Sequence, residues 1–118
     1  MWIDKGCSSA VEVNLQVACD KLFDATGIDM EIGGRKSIDA LDPNEGLGIQ
    51  CLPARRDGVL GRGGEAGIRL YGVDHLSTIM HELGHVVGMA HNDDPNSVMF
   101  PVNRGVTEYT SKDTEGMQ

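Results

Sequence analysis

Several things are scarce in this chain of 118 residues, and each shortage narrows what it can do. Aromatic residues amount to two Phe, two Tyr and one Trp, so the core must rest on Val, Ile, Leu, Met and Ala. No apolar run approaches the ~18 residues that a membrane-crossing helix needs. Positive charge is in deficit: 10 Lys and Arg stand against 18 Asp and Glu, for a net charge of −8. The isoelectric point is near 4.7. Such a chain lacks the basic face that nucleic acid or an anionic membrane surface demands. The N-terminus has neither the basic nor the apolar region of a signal peptide, so the expectation is a natural Met start or a trimmed chain. Cysteine is limited to Cys7, Cys19 and Cys51, an odd number that permits at most one internal disulfide. A pair involving Cys51 would tie the first helix to the sheet, and three free buried thiols fit equally well. The length suits one domain over residues 1–118, with one core.

What the chain does have is concentrated in residues 81–91, His81-Glu82-Leu83-Gly84-His85-Val86-Val87-Gly88-Met89-Ala90-His91. On a helix, His81 and His85 lie one turn apart on the same face. Two imidazole nitrogens can then reach one zinc ion at about 2.0–2.1 Å. Glu82 lies beside them, close enough to touch a metal-bound water without serving as a ligand. Gly88 can adopt the left-handed conformation that ends a helix, letting the chain bring His91 back as a third ligand. Three protein ligands leave a fourth position open, which marks a catalytic rather than a structural zinc site.

The residues after His91 agree with this. Asn92-Asp93-Asp94-Pro95-Asn96 is turn-rich, and Val98-Met99-Phe100-Pro101 follows. Met99 is polarizable and adaptable, suited to packing beneath a cluster of imidazoles.

Elsewhere the pattern predicts ordinary elements. Ser8 or Ser9 caps a helix, with Glu12 as a capping-box partner, Val11, Leu15, Ala18 and Leu22 on its buried face, and Gly27 at its end. Ile28–Ile32 alternates as a half-buried strand, broken by Gly33-Gly34, and Leu47–Leu52 is a second strand stopped by Pro53. Asp39, Asp42 and Glu45 fall in a loop with Pro43 and Gly46. Calcium takes such oxygens, but no complete ligand spacing appears, and a solvated acidic loop is the simpler reading. Residues 55–64 read as a long mobile loop, whose Gly61-Arg62-Gly63-Gly64 lacks the ending of a phosphate loop. Ala66–Tyr71 is a strand leading to the motif helix, and His75 is a surface residue at that helix's start.

The segments H-E-L-G-H-V-V-G-M-A-H and N-D-D-P-N-S-V-M-F-P resemble the metzincin clan, and within it the matrixins. Pro101, two residues after Met99, matches matrixins rather than astacins or serralysins. Tyr109–Gln118 is similar to the matrixin L-T-x-x-D-x-x-G-I-Q segment that opens the last helix, with Thr110 as N-cap and Asp113 in the first turn. Asn92 and Phe100 depart from the usual Ser and Tyr. The resemblance implies an α+β, zincin-like fold: a small mixed sheet packed on a first helix and a zinc-binding helix, and an irregular C-terminal part. The upper part spans 1–91 and the lower part 92–118. It implies one catalytic Zn2+ on His81, His85 and His91, general base Glu82 and Met-turn Met99. The activity implied is zinc-dependent endopeptidase, acting on an extended protein or peptide that adds to the Ala66–Tyr71 strand as sheet edge. The pocket wall would be Pro101, Val102 and Asn103, with an apolar residue preferred after the cut. Cys7 lacks the context of the inhibitory pro-segment Cys and reads as structural. A secreted or particle-associated location follows, with a monomer as default. Two other readings share the motif: a zinc-bearing binding or structural module, and a zinc hydrolase of a non-protein amide such as a peptidoglycan cross-link. An intact Glu82 favours the peptidase, because a binding module needs no general base.

Overall fold

The computed structural model describes residues 1–115. The last three residues of the Tyr109–Gln118 motif, and with them the end of the lower part, lie outside the described residues. The strands are β1 (Trp2–Asp4), β2 (Gly34–Lys36), β3 (Gly48–Leu52), β4 (Gly61–Gly64) and β5 (Gly67–Tyr71). The helices are α1 (Ser9–Thr26), α2 (Leu76–Val86) and the short α3 (Ser111–Glu115). One five-stranded sheet has the order β2-β1-β3-β5-β4, parallel throughout except for β4, which runs antiparallel to β5. This is an α+β arrangement with a mixed sheet.

Register explains the core. Ile3 pairs with Ile49, and Ile49 with Ile68, so one row of β-branched side chains crosses the sheet. All three are fully buried, together with Leu15 and Leu22 of α1 and Ile79, Met80 and Leu83 of α2. α1 begins as its sequence dictates: Ser8 Oγ accepts from the Val11 N–H, and the helix ends at Gly27. Val11, Leu15, Ala18 and Leu22 form the buried face. Glu12 does not complete a capping box. Its carboxylate accepts from Arg35 Nε at 2.7 Å, while the Arg35 guanidinium also donates to the carbonyls of Cys7 and Ser8, so β2 is stitched to the start of α1.

Two expected elements differ. Ile28–Ile32 is not a strand. Its alternation is present, with Ile28, Met30 and Ile32 half-buried and Asp29 and Glu31 exposed. But β1 starts at Trp2, whose register partner is Gly34. Residues 28–32 therefore lie beyond the end of their neighbour strand, where Met1 donates to the Glu31 carbonyl. The second difference is at residues 55–64, where the expected loop ends in the strand β4. Glycine content suggested mobility there, yet the glycines serve close packing. A Cβ on Gly63 would lie 2.2 Å from the backbone oxygen of Glu82. β4, not β5, is consequently the edge strand at this end of the sheet, and β5 is paired on both sides.

Cys7 and Cys51 are joined in a disulfide, leaving Cys19 as a free buried thiol. The bond links the turn before α1 to β3. With a sequence separation of 44, it removes loop entropy from the unfolded chain worth about 4 kcal/mol. Burial pushes the Cys19 thiol up to about 11, with Asp20 adding to the shift, so it stays protonated at neutral pH. Two contacts help anchor the C-terminal segment to the helices: the Tyr109 hydroxyl donates to the Met80 carbonyl at 2.7 Å, and Lys21 of α1 pairs with Glu108.

Gly63→Ala should lower stability by about 1–3 kcal/mol, because the methyl must displace the backbone of α2. A shift in the urea midpoint with unchanged denaturant dependence is the expected result.

Candidate metal centre

The site grows out of how α2 ends. Apolar residues at 76, 79, 80, 83 and 86 form one helical stripe that holds the helix on the core. His81 and His85, one turn apart, project from the opposite side of the helix. After Val86 the chain stops being helical: the Gly88 N–H bonds to the His85 carbonyl, and Gly88 takes φ +93, a region that disfavours side chains. The following residues fold back beneath the helix. Gly84 makes that return fit, since a Cβ there would lie 2.5 Å from the Met99 sulfur and 3.1 Å from the Met89 sulfur. The glycine between the first two histidines thus admits the two methionines against the helix backbone.

The return also orients the imidazoles. His81 Nδ1 lies 2.7 Å from the Val98 carbonyl, and His85 Nδ1 lies 3.1 Å from the Met89 carbonyl. A carbonyl accepts only, so each Nδ1 carries the proton and each Nε2 presents a lone pair. Burial lowers the pKa of both rings and keeps them neutral, the neighbouring histidines adding to the shift and the carbonyl bonds opposing it. His91, exposed on the returning loop, brings its Nε2 to 3.2 Å from His81 Nε2 and 3.1 Å from His85 Nε2. The three donor atoms lie within 4.8 Å of one another. Tetrahedral ligands about 2.0–2.1 Å from a zinc ion stand about 3.3–3.4 Å apart. One N–H on His91 could satisfy at most one of the two facing lone pairs. This donor set fits a divalent cation, and a carbonyl behind each of two imidazoles is the support that metal-bound histidines need. Among the described residues it is the one cluster of three such groups placed to hold a metal. Asp39, Asp42 and Glu45 do not converge: Asp42 caps a 3₁₀ turn at Pro43–Glu45 through the Asn44 N–H, and all three are exposed.

Glu82 is buried at the junction of α2 and β4, where its carboxyl packs against Gly61. Burial pushes its pKa up to about 7, opposed by the charge of Arg62 and by the Gly63 N–H. A carboxyl poised near neutrality can accept a proton and return it. It opens on a cleft of about 770 Å³ shared with His81, His85 and His91. Pro101, Val102 and Asn103 line the same cleft from the opposite wall. His75 is exposed at the N-cap of α2 and takes no part.

The residue that sequence reasoning undervalued is Asp113. Placed in the first turn of α3, it reads as a helix-dipole carboxylate, yet its side chain is fully buried. Oδ1 accepts from the Met99 N–H at 3.0 Å, from Ser97 Oγ and from Asn92 Nδ2. Oδ2 accepts from the Thr110 N–H at 2.7 Å and from Thr110 Oγ1. Thr110 does precede the helix, but Asp113 supplies the capping bonds. The signal was present in the T-x-x-D spacing, which is half of a reciprocal cap. Asn92 likewise has a use of its own. Its N–H donates to the Met99 carbonyl and its side chain to Ser97, closing the loop that carries His91.

The matrixin family profile matches residues 20–118. The chain belongs to the matrixin family. Within this matrixin, a stretch of 47 residues, 40% of the chain, is 38% identical to matrilysin of Felis catus and covers 16% of it. A stretch of 30 residues, 25% of the chain, is 53% identical to matrilysin of Homo sapiens and covers 11% of it. The chain therefore matches only a small part of these relatives' length. The mixed sheet and helices described above are those of the α+β metzincin class that this family implies.

Asp113→Ala should lower stability by about 3 kcal/mol, since it strips charge-assisted bonds from several buried donors at once. It should also weaken metal affinity at least ~10-fold, because Val98 and His91 lose the turn that holds them. Chelator competition against the wild type measures the second effect, and an unchanged affinity would separate Asp113 from the metal centre.

Proposed function

We propose that this matrixin is a zinc-dependent endopeptidase that hydrolyses peptide bonds with water. The observation that carries the reading is the convergence of two tautomer-locked imidazoles and His91 beside a buried carboxyl, in a cleft bordered by a free strand edge. His81, His85 and His91 would hold the ion. Zinc in such a site supplies Lewis acidity, acidifying water and polarising a carbonyl oxygen.

The protein's own groups do the rest. Glu82 takes the proton from the attacking water and passes it to the leaving amine nitrogen, so a carboxyl held near neutrality serves both halves of the reaction. Among the described residues β4 ends the sheet, and an extended peptide can add to its outer side as a further strand. Gly61 and Gly63 bring that edge into contact with Glu82, so a peptide lying along it is delivered to the general base. Pro101, Val102 and Asn103 bound the peptide's side chains from below. The Cys7–Cys51 disulfide supports an oxidising, extracellular or particle-associated setting. No helix among the described residues is long and apolar enough to cross a membrane.

Glu82→Ala should retain one zinc per chain and lose ~10²–10⁴-fold in peptide turnover, the span typical of general acid–base catalysis. Metal content by mass spectrometry, beside cleavage of a peptide mixture, checks both halves. Wild-type turnover in the variant would refute the assignment of the base. A zinc-loaded wild type that cuts nothing would favour a binding module or a non-protein amide substrate.

A further inference from the structure

The cleft carries charge opposite to that of the molecule around it. The chain has a net charge of −8. Within the cleft, however, Asp57 is gripped by Arg55, whose Nε and Nη2 donate to the two carboxylate oxygens at 3.0 and 2.6 Å. Glu82 is committed to proton transfer. The remaining charged residues lining the cleft are Arg62 and Arg104, and among the described residues neither has an ion-pair partner.

The two arginines are not equivalent. On β4, Gly61 and Gly63 face α2, so alternation turns the Arg62 side chain to the other face of the sheet, opposite Arg69, from where its charge still reaches Glu82. Arg104 lies on the lower wall, at the tip of a pinned turn. Asn103 Nδ2 donates to Thr78 Oγ1 at 3.1 Å, and Asn103 Oδ1 accepts from the Gly105 N–H at 2.9 Å. One amide therefore clamps the backbone on both sides of Arg104 to the first turns of α2. The adjoining wall mixes apolar side chains, Val98, Val102 and Val106, with polar ones. Ser77, Thr78 and Asn103 line it together with His81. An apolar side chain entering there would desolvate the Arg104 guanidinium without pairing it. A carboxylate would meet a guanidinium whose planar fork matches it.

We propose that Arg104 is a specificity-determining residue and that the preferred substrate carries Asp or Glu next to the scissile bond. The inference rests on the peptidase reading above and replaces the apolar preference that family resemblance implies. His81 belongs to both the metal centre and this wall. Successive residues of an extended peptide are about 3.3 Å apart, so a side chain entering beside His81 comes from a residue flanking the reacting carbonyl.

The test is the cut-site profile of a proteome-derived peptide mixture, read by mass spectrometry, for wild type, Arg104→Ala, Arg104→Lys and Arg104→Glu. Each protein is checked for zinc content and thermal melting. Wild type should cut ~10-fold more often beside Asp or Glu than beside Asn or Gln. Arg104→Lys should keep the preference, Arg104→Ala should abolish it, and Arg104→Glu should turn it toward Lys and Arg. Abundant cuts without acidic enrichment, or enrichment unchanged in Arg104→Glu, would overturn this inference alone. A folded, zinc-loaded wild type that makes no cuts would overturn the peptidase reading and this inference with it.

Discussion

The carboxylate of Asp113 is the constraint on which the lower half of the molecule depends. It is fully buried and bonded to Met99, Ser97, Asn92 and Thr110. These donors come from the His91 loop, the turn at Met99 and the start of α3. A buried carboxylate left without donors is costly, so the three segments cannot separate cheaply. Their position decides where the Val98 carbonyl lies, and that carbonyl decides which nitrogen of His81 is free. Chemistry at the surface of the cleft is thus set by a group buried from solvent, near the end of the described chain.

A second constraint acts from above. β4 crosses α2 so closely that Gly63 sits against the helix backbone and Gly61 against the Glu82 side chain. The same contact buries Glu82, raises its pKa and places a sheet edge beside it. One packing decision therefore tunes the carboxyl and sets the sheet edge beside it. Gly84 does the corresponding work below, where Met89 and Met99 press against α2. With few aromatics to fill space, the molecule relies on glycine for close approach and on methionine for adaptable filling.

Charge follows a division of labour. Acidic residues outnumber basic ones and leave the chain with a net charge of −8. Three of the ten cations are used structurally: Arg35 binds β2 to α1, Lys21 binds α1 to the C-terminal segment, and Arg55 holds Asp57. Arg104 is left facing the cleft, held by the clamp at Asn103.

The sequence by itself determined the donor set and its local geometry. His81, Glu82, His85 and His91 have spacings that only a helix followed by a glycine turn satisfies, and both are local structures governed by residues within a few positions. It likewise determined α1, whose cap, buried stripe and terminal glycine are all short-range signals. Tertiary structure alone decided pairings between distant residues. The alternation at Ile28–Ile32 was legible, but its exclusion from the sheet depends on where β1 begins. The glycines of residues 61–64 looked like a loop because steric need against α2 and conformational freedom leave the same composition. That Cys7 finds Cys51 rather than Cys19, that Asp113 turns inward, and that the cleft wall is polar at Thr78 and Asn103 all depend on contacts across 14 residues or more. Spacing encodes what a short segment can form. Which segments meet is settled by burial of the shared core, and that is a property of the whole chain.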